Sequence, residues 1–132
     1  MSDAKTILVV DDEPDAIEFV TAVISQAGEF NTISATDGVA GLQKAKEANP
    51  DLAILDVQMP GKNGFDVFQE LRKDEATRNI KVIMLTGVAE KTGIGFSSAE
   101  MGEFYGEEPN AYIEKPVDPE ALKSKILELI GS

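Results

Sequence analysis

Three short runs of this chain are apolar at nearly every position: Ile7-Leu8-Val9-Val10, Leu52-Ala53-Ile54-Leu55 and Val82-Ile83-Met84-Leu85. A strand covered above and below has no polar side, so such runs predict the central strands of a parallel sheet. Residues 30–35 alternate only weakly, Phe30, Thr32 and Ser34 against Asn31, Ile33 and Ala35, which suits an edge strand. Ala111-Tyr112-Ile113 predicts a fifth, short strand. Between these runs the apolar spacing turns helical. After Pro14, the residues Ala16, Phe19, Val20, Val23, Ile24 and Ala27 fall on one stripe, with Gly28 as terminator. Asp37 opens a second helix, with Val39, Leu42, Ala45 and Ala48 inward and Asn49-Pro50 stopping it. Phe65, Phe68 and Leu71 mark a third helix. The last has Asp118 as N-cap, Pro119 at its first position, then Leu122, Ile126, Leu129 and Ile130. Strand and helix alternate, so the predicted class is α/β with a parallel sheet and right-handed crossovers.

One stretch resists this scheme. Residues 87–110 hold five of the eleven glycines and five glutamates against one lysine. A helix there would be short, over about 98–105, and interrupted by Gly102.

Composition narrows the chemistry. The 132 residues suit a single domain, and 42% hydrophobic content is enough for a core. A net charge of −12 argues against nucleic-acid or anionic-membrane binding, because an acidic surface repels phosphate. With no cysteine and no histidine, disulfides, zinc–thiolate sites, a Ser-His-Asp triad and a phosphohistidine on this chain are excluded. No basic-then-apolar leader stands at residues 1–5, and no apolar run nears the roughly 20 residues of a membrane span. The expectation is a cytoplasmic protein.

In an open parallel sheet, ligands bind beyond the carboxyl ends of the strands. There the first run ends in Asp11-Asp12, the third in Asp56, the fourth in Thr86, and the fifth leads to Glu114-Lys115-Pro116. Three carboxylates, a hydroxyl and an ammonium converge on one edge. Two carboxylates 4 Å apart repel by about 4 kcal/mol at an effective dielectric of 20, so a cation or a proton must join them. Lys115 offsets one of the three charges, and a Mg²⁺ ion, which favours hard oxygen donors, would offset the other two. A carboxylate neutralised in this way can attack phosphorus and form an aspartyl phosphate. Each piece taken singly has a plainer reading. Asp-Asp-Glu-Pro reads as a helix cap, Asp56 as the start of a turn, Thr86 as a backbone-bonded hydroxyl, and Lys115-Pro116 as an exposed loop pair. Jointly, four strand ends with complementary groups favour a site.

The chain resembles the receiver domain of bacterial two-component response regulators from about residue 5 to 130. The matching motifs are Ile-Leu-Val-Val-Asp-Asp-Glu-Pro at 7–14, Leu-Ala-Ile-Leu-Asp-Val-Gln-Met-Pro-Gly at 52–61, Asn-Gly-Phe at 63–65, Ile-Met-Leu-Thr-Gly at 83–87 and Tyr-Ile-Glu-Lys-Pro at 112–116. The resemblance implies a single receiver domain over 1–132. Its fold would be a flavodoxin-like, doubly wound (βα)5 with five parallel strands in order 2-1-3-4-5 and helices on both faces. It also implies that Asp56 is the phosphoacceptor. Asp11, Asp12, Asp56 and the Gln58 backbone carbonyl would hold Mg²⁺. Thr86 would be the switch hydroxyl, Lys115 the phosphoryl partner preceding a cis proline bond, and Tyr112 the rotating aromatic. One departure concerns the stretch between Thr86 and Lys115, which is longer than the family norm. There Gly93-Ile94-Gly95-Phe96 and Phe104-Tyr105-Gly106 suggest a loop with aromatic anchors in place of a fourth helix.

The function expected from the resemblance is a phosphorelay response regulator. A histidine kinase or phosphotransfer protein would donate the phosphoryl group, and a protein partner would read the conformational change. The chain ends at Ser132, just past the last predicted helix, which suggests a stand-alone switch and not an enzyme. A magnesium-dependent phosphatase needs a second acid, commonly two residues after the nucleophile, and that position is Gln58. A receiver-like scaffold that is never phosphorylated would leave the three repelling carboxylates unexplained unless it binds Mg²⁺ alone.

Overall fold

The computed structural model describes residues 4–59, 62–86 and 109–131. Five strands, β1 (Thr6–Val10), β2 (Asn31–Ala35), β3 (Leu52–Asp56), β4 (Lys81–Thr86) and β5 (Ala111–Glu114), form one parallel sheet in the order β2-β1-β3-β4-β5. Four helices are present among the described residues: α1 (Pro14–Ala27), α2 (Gly38–Ala48), α3 (Gly64–Lys73) and α4 (Pro119–Ile130). The atypical stretch and the short helix expected inside it lie outside the described residues, apart from Pro109 and Asn110. No helix of the described residues is long and apolar enough to cross a membrane.

The pleat divides the core. Alternate residues of a strand point to opposite faces, so Leu8, Val10, Ala53, Leu55, Val82 and Met84 pack with Leu42 and Ala45 of α2 and Phe65, Phe68 and Leu71 of α3. Ile7, Val9, Leu52, Ile54, Ile83 and Leu85 pack on the other face with Val20, Val23 and Ile24 of α1 and Leu122 and Ile126 of α4. Both faces of β1, β3 and β4 are therefore buried, which is why their sequences are almost continuously apolar.

Two helices bury a different arc from the one their apolar residues suggest. Phe19 is 42% exposed and Val39 is 63% exposed, and Ala48 is exposed as well. A helix turns about 100° per residue. Phe19 lies one such step from Val20, at the flank of the arc, and Ile17 packs in its place. In α2 the inward arc runs through Gly38, Gly41, Leu42 and Ala45, and Val39 stands one step away from Gly38. Apolar spacing cannot reveal an arc made partly of glycine.

Caps and ties fix the elements. The Asp37 side chain accepts from Ala40 N–H, and the Asp118 side chain accepts from Ala121 N–H. Asn63 and Asp66 form a reciprocal capping box at the start of α3. At the other end of the sheet, Arg72 donates to Ile80 O at 2.7 Å and to Asn110 Oδ1 at 3.3 Å, with its guanidinium over the Phe68 ring. Asn110 Oδ1 also accepts from Val82 N–H at 2.8 Å, which seats β5 beside β4.

Candidate phosphoacceptor site

The sheet ladders continue past the strand ends and set the site. Asp11 N–H donates to Ala35 O at 3.1 Å, and Lys115 N–H donates to Thr86 O at 2.7 Å. The alternation therefore extends to both residues. It directs Asp11, Asp56 and Lys115 to the α1–α4 side, with Val9, Ile54 and Ile113. The side-chain contacts agree. Lys115 Nζ lies 2.8 Å from Asp56 Oδ1 and 3.7 Å from Asp11 Oδ2. One oxygen from each of Asp11, Asp12 and Asp56 falls within 4.8 Å of the others.

Asp11 and Asp56 are buried, and Asp12 stands on the more open side. Burial strips water from the Asp56 carboxylate and raises its pKa from 3.8 to about 6; the Lys115 hydrogen bond pulls the other way, and Asp11 adds to the rise. Burial raises the pKa of Asp11 as well, against the hydrogen bond it accepts from Glu13 N–H. Lost hydration pulls the Lys115 ammonium down, yet its bond to Asp56 and the nearby Asp11 hold it above the usual lysine value.

The plain cap reading of Asp11-Asp12 fails here. Helix α1 starts from Glu13, which makes no side-chain cap bond. Asp11 Oδ2 is buried without a hydrogen-bond partner. A buried carboxylate oxygen that accepts no hydrogen bond, in a residue grouped with two other carboxylates, fits a hard divalent cation. Pairwise repulsion near 4.8 Å is about 3.5 kcal/mol at a dielectric of 20, so a cation would relieve a real load.

Thr86 and Tyr112 share the edge but not the face. Met84 pairs with Tyr112 and Thr86 with Glu114. Tyr112 packs against the α2–α3 cluster, and alternation places the buried Thr86 on that same side. Gln58 is exposed just beyond β3, and the Lys115–Pro116 bond is cis. Sequence reasoning gave no role to the two glycines that begin α2 and α3, although each follows a capping Asp37 or Asn63, a repeated Asx-Gly signal.

Parallel βα order, three acids at neighbouring strand ends and a lysine beyond β5 define a receiver-type fold with an acidic pocket that fits a phosphoacceptor site. Residues 7–127 match the family model for the response regulator receiver domain, and the chain belongs to that family. It is 34% identical over 122 residues to Protein PilH of Pseudomonas aeruginosa, covering 91% of this chain and 93% of that one. It is also 34% identical over 126 residues to the DNA-binding dual master transcriptional regulator RpaA of Synechocystis sp.. That match takes in 94% of this chain and 48% of RpaA, so the chain spans about half the length of that relative. The solved receiver domain of sensor histidine kinase PA1611 from Pseudomonas aeruginosa is similar, with a TM-score of 0.80, 25% identity, and coverage of 98% of this chain and 100% of that one. That structure has a magnesium ion coordinated in its active-site cleft.

Proposed function

We propose that this chain is a phosphoacceptor switch of a two-component phosphorelay. Its donor is a phosphohistidine on a histidine kinase or phosphotransfer protein, and its output is contact with a protein partner. The observation that carries the reading is the 2.8 Å contact of Lys115 Nζ with Asp56 Oδ1 inside the acidic cluster. Asp11, Asp12, Asp56 and the Gln58 carbonyl would hold Mg²⁺. When bound, that ion supplies positive charge to the phosphoryl oxygens.

The rest falls to the chain's own side chains. Lys115 engages one oxygen of Asp56 and leaves the carboxylate a second oxygen for attack on phosphorus. The new O–P bond forms as the donor's P–N bond breaks, and that electron pair returns to the imidazole nitrogen, which takes a proton from water. Lys115 stays beside the acyl phosphate. Phosphorylation changes the charge carried at residue 56 from −1 to about −2. Thr86, one face away, moves toward it, and Tyr112 follows as the readout.

Gln58 supports a switch over a phosphatase, since an amide offers no proton to a leaving group. The reading includes a cytoplasmic location and no nucleic-acid contact, which the −12 charge supports. Intact-mass measurement with Mg²⁺ and acetyl phosphate tests it. Wild type should gain one phosphoryl unit and Asp56→Asn none. A gain by the variant would overturn the assignment of the acceptor.

A further inference from the structure

Among the described glycines, two approach other backbone most tightly, and each is the first residue of a helix. A Cβ on Gly64 would stand 2.5 Å from the Asp56 carbonyl oxygen, 3.0 Å from its carbonyl carbon and 3.1 Å from Val57 Cα. A Cβ on Gly38 would stand 2.4 Å from the Lys62 carbonyl oxygen. Neither glycine has a φ in the left-handed region; among the described glycines only Gly131 does. Conformational freedom is therefore not what these positions require, and helix propensity alone favours alanine at both. Contact explains them.

The approached atoms belong to the two ends of one segment, the connection from β3 to α3. It leaves β3 at Asp56, runs through Gln58 and reaches Lys62 near its end. Gly64 N–H donates to Val57 O at 3.2 Å, so the start of α3 closes back on the strand end. The Asn63–Asp66 capping box fixes that helix start, and the Asp37 cap fixes the start of α2. Lys62 is itself ion-paired to Glu70 of α3.

We propose that Gly64 and Gly38 are positioning residues: they let two helix starts grip the β3–α3 connection by backbone contact and hold the Asp56 carboxylate and Gln58 carbonyl in aim. This rests on the reading of Asp56 and Gln58 given above. Ordinary contact begins at 3.4 Å, so a methyl at position 64 displaces the Asp56–Val57 peptide or the start of α3 by about 0.9 Å (3.4 − 2.5). Mg²⁺ tolerates little departure from octahedral geometry, and a 1 Å misplacement can cost about 100-fold in rate.

Calorimetric titration with MgCl₂ tests the proposal on wild type, Gly64→Ala, Gly38→Ala and Leu122→Ala, with urea unfolding of each in EDTA. Leu122 is fully buried on the α1–α4 side, across the sheet from the two glycine-led helices, so its truncation costs stability without altering either glycine contact. Gly64→Ala should fold, bind Mg²⁺ at least about tenfold more weakly and take the phosphoryl group from acetyl phosphate more slowly. Gly38→Ala should show a smaller loss, and Leu122→Ala should keep its Mg²⁺ affinity. A folded Gly64→Ala with wild-type affinity overturns the proposal, and so does an equal loss in Leu122→Ala. If Gly64→Ala does not fold, Gly38→Ala decides by the same affinity criterion. If neither folds, the glycines serve the fold and the proposal fails. Absence of Mg²⁺ binding by wild type defeats the proposal through the reading of the acidic cluster, not through the glycines.

Discussion

Replacing Asp56 by Asn should stabilise the metal-free protein, and the gain should depend on pH in one direction. Asp56 is 3% exposed, and its carboxyl is raised from 3.8 to about 6. A raised acid pKa means that the native chain holds this proton more tightly than the unfolded chain does. Between about pH 4 and 6, the native state carries a proton that the unfolded state has released. Stability contributed by Asp56 therefore falls as pH rises through that window and stays lowered above it. The difference of 2.2 units (6 − 3.8) corresponds to about 3 kcal/mol at pH 7.5. This is an upper figure, because Asn also removes the partner of Lys115.

Urea unfolding in EDTA from pH 4 to 7.5 measures the effect. The variant-minus-wild-type difference should grow from near zero to about 1–3 kcal/mol. Other carboxylates, such as the capping Asp37 and Asp118, are common to both proteins and largely cancel in the difference. Saturating Mg²⁺ should shrink the gap, since the ion stabilises the chain that binds it more tightly. A difference that is flat with pH, or a wild type more stable than the variant at pH 7.5 in EDTA, would refute the account of Asp56 as a strained, buried carboxylate.

Two further outcomes are expected. Asp12→Ala, which removes the most open of the three carboxylates, should weaken Mg²⁺ binding strongly in a titration followed by tyrosine fluorescence or calorimetry; unchanged affinity would remove Asp12 from the ligand set. Phe68→Ala should cost about 3–5 kcal/mol in urea unfolding, because the ring is fully buried and also supports the Arg72 guanidinium; a loss below about 1 kcal/mol would show that the core refills the space.

The architecture was legible because β1, β3 and β4 are buried on both faces and Asp11, Asp56 and Thr86 stand at or just past their ends. The same end-of-strand logic located Lys115. Individual helix faces were less legible. Phe19 and Val39 are apolar but flank their buried arcs, while Gly38 and Gly41 lie inside one, and apolar spacing assigns glycine no weight. The Asn63–Asp66 box is local and readable, yet the reason for Gly64 is not, since the Asp56 carbonyl it approaches is fixed only by tertiary closure. Arg72 meets Asn110 across 38 residues, beyond the reach of any periodicity.

The pleat gives the molecule a division of labour. Asp11, Asp56 and Lys115 sit on the side of α1 and α4, while Thr86 and Tyr112 belong to the side of α2 and α3. If the proposed function holds, surface changes on α1 and α4 should alter donor preference while leaving the Thr86–Tyr112 side intact. Because distant sites without shared partners act almost independently, input and output preferences should evolve, and be engineered, as separable traits.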